Sequence, residues 1–147
     1  MNILVALDDS KCSQAATELL TAQVRTEGTH VRLLHVVEQF PVALAEAAGA
    51  WRYSDVLLAK SEEHTRAEEL LEQAARKLRT VGFVVTSAVE DGDVRSVILD
   101  DAQRWHADLI VVGSHGRKGL ARFLMGSVSD AVAHHAPCSD EIVRIHA

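Results

Sequence analysis

Apolar residues are distributed along the chain in two rhythms. Short, largely apolar runs, Ile3 to Leu7, Val31 to Val37, Phe83 to Val89 and Leu109 to Val112, each stop at polar residues or glycine. Such runs suit strands covered on both faces, as in a parallel sheet. Between them the apolar positions recur every three to four residues. Cys12, Ala16, Leu19 and Leu20 form one such stripe, and Ala67, Leu70, Leu71, Ala74, Ala75 and Leu78 form the clearest. Val94, Val97, Ile98, Ala102 and Trp105 make a third, and Val128, Ala131, Val132 and His135 a fourth, so four amphipathic helices are predicted. Local chemistry supplies their ends. Asp9 or Ser10, Ser54 or Asp55, Asp93 and Ser127 are start signals, while Gly28, Gly82 and Pro137 are stop signals. Glu38 to Tyr53 is alanine-rich, carries Pro41 and Gly49, and has no clean period, which predicts a loop or an irregular helix. The tail from Ser139 supplies a fifth strand.

Strand and helix therefore alternate four times before a last strand. A parallel connection needs a crossover and each helix provides one, so the order predicts an α/β fold: an open, mostly parallel five-stranded sheet with helices on both faces. The 147 residues suffice for one core and are too few for two of ordinary size, so residues 1–147 are expected to form a single domain. In sheets of this kind ligands settle at the carboxyl ends of strands, near the point where strand order reverses. Residues just after strands one, two and four are the ones to examine.

Composition changes this picture little. The 48% hydrophobic and 24% charged content is ordinary for a globular chain, and the net charge of −6 disfavours non-specific attraction to nucleic acid or anionic membrane. No apolar run approaches the roughly 18 residues that span a bilayer, and "MNILVAL" has neither a basic region nor a cleavage site, so a cytoplasmic location is expected. Cys12 and Cys138 form no CxxC or Cys/His pattern and read as buried or half-buried free thiols.

Four of the eight glycines lie in "GSHGRKGLARFLMGS", Gly113 to Ser127, between strand four and the last helix. Small residues there let the backbone take positive φ and approach a ligand, and the helix adds uncapped amides and the positive end of its dipole, which together would cradle phosphate. A Walker A loop is excluded because Lys118 precedes Gly119 and Leu120, and a dinucleotide fingerprint is excluded because strand one ends in "LDDS" with no glycine. Spacing alone leaves a second reading open, a surface loop whose Ser127 simply caps a helix.

The pattern G-2x-G-9x-G-S, together with "LDDS", "LLHVVE" and "APCSDEIVR" in the same order, resembles the universal stress protein family along the whole chain, and its nucleotide-binding branch in particular. The resemblance implies that Gly113, Gly116, Gly126 and Ser127 hold the phosphates and ribose of ATP or AMP. It further implies that Asp8 lies at the adenine end of the site and that the backbone of Val36 meets the base. It also implies a homodimer formed through the C-terminal strand, with Ile142, Val143 and Ile145 at the contact. Ser139 and Asp140 depart from the family pattern by placing a carboxylate where an apolar residue is usual.

Several further groups are candidates on the residues' own chemistry. Arg117, Lys118 and Arg122 could neutralise phosphate, with Arg117 the expected contact, and Ser114, His115 and Ser129 could donate to it. Asp8 and Asp9 could help hold Mg²⁺. His35 interrupts strand two and reads as a satisfied core histidine. No catalytic set stands out, so the expected protein is an ATP-binding stress-response regulator with at most slow hydrolysis. A dimeric scaffold that binds no nucleotide is the alternative, and a hydrolase-like or nucleotidyl-transferring enzyme is weaker because its catalytic groups are missing.

Overall fold

The computed structural model describes the chain apart from residues 24–25, 40–41, 48, 50–51, 117–124 and 146–147. Its elements run β1 (Asn2–Ala6), α1 (Lys11–Gln23), β2 (His30–Val37), α2 (Val42–Ala47), α3 (Tyr53–Val81), β3 (Val84–Asp91), α4 (Val94–Arg104), β4 (Leu109–Gly113), α5 (Ser127–His135) and β5 (Ser139–Val143). The five strands form one sheet in the order β3-β2-β1-β4-β5, and all four pairings are parallel. The α/β class expected from the alternation is the observed one, with the sheet wholly rather than mostly parallel.

The strand order follows from the crossovers. From β1 the chain steps outward through β2 to β3, then returns across β1 to place β4 and β5 on the other side. Strand order therefore reverses at the β1–β4 boundary, and that boundary opens at the strands' carboxyl ends. Alternation along the strands divides the interior into two apolar layers. Ile3, Val5, Val31, Leu33, Val85 and Val111 face Ala16, Leu20, Leu71, Ala75 and Leu78 of α1 and α3. Leu4, Leu34, Val36, Ile110 and Val112 face Ile98, Ala102 and Val132 of α4 and α5. Burying each of these larger side chains contributes about 1.5–3 kcal/mol by transfer from water.

Element ends follow the local signals closely. The Ser10 hydroxyl accepts from Ser13 N–H at 3.2 Å, so Ser10 rather than Asp9 caps α1. Gly82 ends α3 in the left-handed region at φ 111° and sends its N–H to Arg79 O and Leu78 O. Asp93 caps α4, its carboxylate accepting from Ser96 N–H at 3.0 Å. Of the two alternatives expected for the segment without a period, it contains a short helix, α2, whose Val-Ala-Leu-Ala-Glu-Ala sequence has high helix propensity despite the nearby Pro41 and Gly49. Two expectations are corrected. His135, expected inward, is exposed in the last turn of α5, while Ser129 and Val132 occupy the buried face. β5 stops at Val143, leaving Ile145 beyond it and 46% exposed.

α4 is pinned to the sheet by charge as well as by packing. Asp101, 2% exposed, takes both Nε of Arg32 at 2.7 Å and an NH2 of the same guanidinium at 3.1 Å, and receives Arg104 at 2.8 Å. A buried carboxylate is tolerated only when paired in this way. Among the described residues no helix is long and apolar enough to cross a membrane.

Candidate functional site

At the reversal point the loop after β1 meets the loop after β4. Past Ala6 the chain turns into α1 through Asp8, Asp9 and Ser10, and a small hydrogen-bonded ring fixes that turn. Asp8 Oδ1 accepts from the Ser13 hydroxyl at 2.7 Å and from Ser10 N–H at 2.9 Å, while Asp8 N–H donates to the same Ser13 oxygen at 2.9 Å. Asp8 is therefore a turn residue, and its position is set by Ser13 of the first helical turn. The sequence reading did not single out Ser13; its trace is the serine three residues after the capping Ser10.

The glycine segment packs directly on this ring. A Cβ built on Gly116 would lie 2.9 Å from Asp8 Oδ2, so the two loops touch at that point. A Cβ on Gly113 would lie 2.7 Å from Cys12 Cβ and 3.2–3.3 Å from the Cys12 carbonyl carbon and Ser13 N, against the first turn of α1. A Cβ on Gly126 would stand 3.1 Å from Ser114 O. The positive φ expected of this segment is not found at these three residues, whose glycines are required by close packing instead; among the described residues the left-handed glycines are Gly28, Gly49, Gly82 and Gly92. Gly119, Arg117, Lys118 and Arg122 lie outside the described residues.

Ser114 is the hub of the β4 end. Its N–H donates to Val143 O of β5 at 2.8 Å, and its carbonyl accepts Gly126 N–H at 2.9 Å and the Ser129 hydroxyl at 3.0 Å. Its own hydroxyl lies 3.0 Å from His115 Nδ1 and 3.9 Å from Cys12 Sγ. Ser114 and Ser129, 2% and 1% exposed, thus spend their hydroxyls on the loop's own carbonyls and side chains, and act on a ligand only by holding the loop. Ser127 is exposed and is the first residue of α5. Gly126 is the N-cap and offers no side chain, so no side chain caps the first-turn amides, and the reading of Ser127 as a cap is replaced. These amides and the helix dipole present a partial positive charge beside His115, whose Cα stands 3.6 Å from a Cβ built on Gly126.

Val36 belongs to β2 on the far side of β1, one residue before its end, with its side chain in the α4–α5 layer. Its neighbour His35 is 5% exposed, and its Nδ1 lies 2.8 Å from Leu7 O at the end of β1. The structure thus brings Asp8, Gly113, Gly116, Gly126 and Ser127 to one end of the sheet, with Val36 one strand away. Among the described residues no group of three or more His, Cys, Asp and Glu gathers around one point, and Asp8 Oδ1 already holds two donors. A separate concavity of about 360 Å³ lies along α4, lined by Glu90, Val97, Asp100, Gln103 and Arg104, and shares no residue with this site. Both cysteines are half-buried free thiols, as expected, and burial pushes the Cys138 thiol up from its ordinary value.

The same residues can be set beside known proteins. A model of the universal stress protein family matches residues 1–144. Universal stress protein Sll1388 of Synechocystis is 32% identical over 150 residues, spanning 97% of this chain and 96% of that protein. Among solved structures, hypothetical protein MJ0577 superposes with a TM-score of 0.84 at 25% identity, covering 99% of this chain and 97% of that one. A universal stress protein family protein from Arabidopsis thaliana, solved with AMP bound, gives a TM-score of 0.72 at 21% identity over 100% of this chain and 93% of that one.

Proposed function

The chain belongs to the universal stress protein family, and from that premise we propose that it is a regulator that binds an adenine nucleotide, ATP or AMP, at the carboxyl ends of β1 and β4. The observation that carries this reading is the contact of Gly116 with the Asp8 carboxylate, one residue beyond His115, against which the N-cap of α5 packs. A fixed carboxylate, a bare stretch of backbone and a helix N-terminus at a strand-order reversal supply a polar anchor and a phosphate cradle at once. Gly113, Gly116, Gly126 and Ser127 are assigned to the phosphate and ribose side, with Arg117 as their cation. Asp8 and the Val36 backbone are assigned to the base side. Ser129 supports the loop from beneath. With Asp8 Oδ1 already satisfied, Mg²⁺ is best assigned to the nucleotide's own phosphates. The AMP held by the Arabidopsis relative supports the choice of nucleotide.

The test is equilibrium binding of ATP and AMP, with mass spectrometry of any small molecule that co-purifies. A ligand that binds only the folded state raises stability by about 2.7 kcal/mol at a hundredfold excess over Kd. Saturable binding with a matching thermal shift is expected; no heat and no shift at millimolar nucleotide from folded protein would overturn the reading.

A scaffold function is favoured by a different observation. β5 lies at the sheet margin with one side unpaired, and Ile145 is exposed just past it. We therefore propose a homodimer through this edge, which also fits the need to cover it. Asp140, exposed on β5, would sit at the contact. Light scattering at micromolar concentration should return twice the 16.0 kDa chain mass; a monomer mass would refute it.

A further inference from the structure

We infer that His35 is a positioning residue for the nucleotide's base, its ring standing on the carbonyl of Leu7 where the next rung of the β1–β2 ladder would fall. The inference rests on the adenine-nucleotide reading above for its function and on the ladder itself for its geometry.

The rungs between β1 and β2 run from Asn2↔His30 to Ala6↔Leu34, and the last of them sends Leu7 N–H to Leu34 O at 2.9 Å. In a parallel pair the bonds alternate, so the next would run from Val36 N–H back to Leu7 O. That carbonyl instead faces Nδ1 of His35 at 2.8 Å. A carbonyl only accepts, so Nδ1 carries the proton. Past Leu7 the chain leaves the ladder and turns toward α1, with Asp8 N–H donating to the Ser13 hydroxyl at 2.9 Å.

An imidazole thus does at Leu7 what a backbone amide would do, one residue before the crevice begins. The choice of residue is not explained by packing. Val31 and Leu33 precede His35 on the same face of β2 and are fully buried, so an aliphatic residue would continue the layer without needing a partner. A buried polar ring costs free energy unless bonded, and its bond here does one thing an aliphatic residue could not. It stands in the place of the next rung, and leaves the Val36 N–H and C=O, which share one side of the extended strand, directed at the gap beside Asp8. A planar heterocycle with hydrogen-bonding nitrogens along its edge is the chemistry that fits such a paired donor and acceptor.

The test compares wild type with His35→Leu, which removes the donor, and His35→Asn, whose side-chain amide nitrogen can stand where Nδ1 stands. In the wild type at pH 8 without nucleotide, a long-range ¹H–¹⁵N spectrum should place the His35 proton on Nδ1. In His35→Leu the Val36 amide should acquire the slow exchange and downfield shift of a ladder bond, and AMP affinity should fall about tenfold, the worth of one hydrogen-bonding site. His35→Asn should recover affinity to within about threefold. A proton found on Nε2 with Nδ1 bare would overturn the inference, as would a folded Leu variant that binds AMP like the wild type. Should the Leu variant fail to fold, the wild-type tautomer and the Asn variant still decide. Should no variant bind nucleotide, the functional reading fails, while the tautomer and the Val36 amide judge the ladder independently.

Discussion

The two ends of β1 are finished in opposite ways. At the amino end every rung is closed by backbone or by a short side chain standing in for it. Met1 O accepts His30 N–H at 2.9 Å, Asn2 O accepts Asp108 N–H at 2.8 Å, and Asn2 N–H donates to the Asp108 carboxylate at 2.7 Å. The Asn2 amide then reaches the carbonyls of Trp105 and His106. At the carboxyl end the neighbouring strands part after Leu7 N–H has met Leu34 O, and the Leu7 carbonyl and the Asp8 N–H are taken by the side chains of His35 and Ser13. One end is sealed and the other is held apart by side chains, which is how a sheet can be stable and still present a binding crevice.

If that contrast is right, substitutions at the two ends should separate stability from binding. The largest effect on stability is expected at Gly113, which lies at the open end and also packs on the first turn of α1: Gly113→Ala puts a methyl against Cys12 Cβ and main-chain atoms that cannot yield. A loss of roughly 2–3 kcal/mol of unfolding free energy, read by urea denaturation, is expected. Gly116→Val should act at the open end alone, because its new side chain meets the Asp8 carboxylate. Nucleotide affinity should drop at least tenfold, about 1.4 kcal/mol, in calorimetry, with the urea midpoint nearly unchanged. At the sealed end, Asp108→Ala should cost about 1 kcal/mol of stability and leave nucleotide affinity as it was. Equal losses of binding from both ends would dissolve the contrast.

The smallest effect concerns pH. The His64 ring bonded to Asp91, with Lys60 beside it, holds that carboxyl below its ordinary value against a modest opposing effect of burial. Asp93 is lowered by the Ser96 backbone N–H, then by the Ser96 hydroxyl and Arg95. A carboxyl depressed in the folded state contributes stability that is full above its unfolded value, near 3.8, and is lost as pH falls through the folded one. Unfolding free energy should therefore decline below about pH 4, and Asp93→Asn, which keeps the cap acceptor, should shallow that decline.

The fold was legible because its interior is periodic. Runs such as Ile3 to Leu7 and the stripe from Ala67 to Leu78 announce strand and helix from their spacing, and Gly82 and Asp93 mark ends by chemistry that acts locally. α2 was not legible, since six residues are too few to show a helical period beside a proline. Of the candidate site, the approach of the β1 and β4 ends followed from the strand-end rule, and Asp8 and Gly116 do meet. The reason for the glycines did not follow. Their crowding against Cys12, Asp8 and Ser114 comes from contacts between residues about a hundred positions apart, or across a loop, which no local pattern encodes. The bonds of Ser13 to Asp8 and of His35 to Leu7 were hidden for the same reason.

Ser114 ties the floor of the crevice to the margin of the sheet through its single bond to Val143. The end of the fourth strand and the outer border of the molecule thus share a main-chain link, and a substitution that displaces this serine strains both.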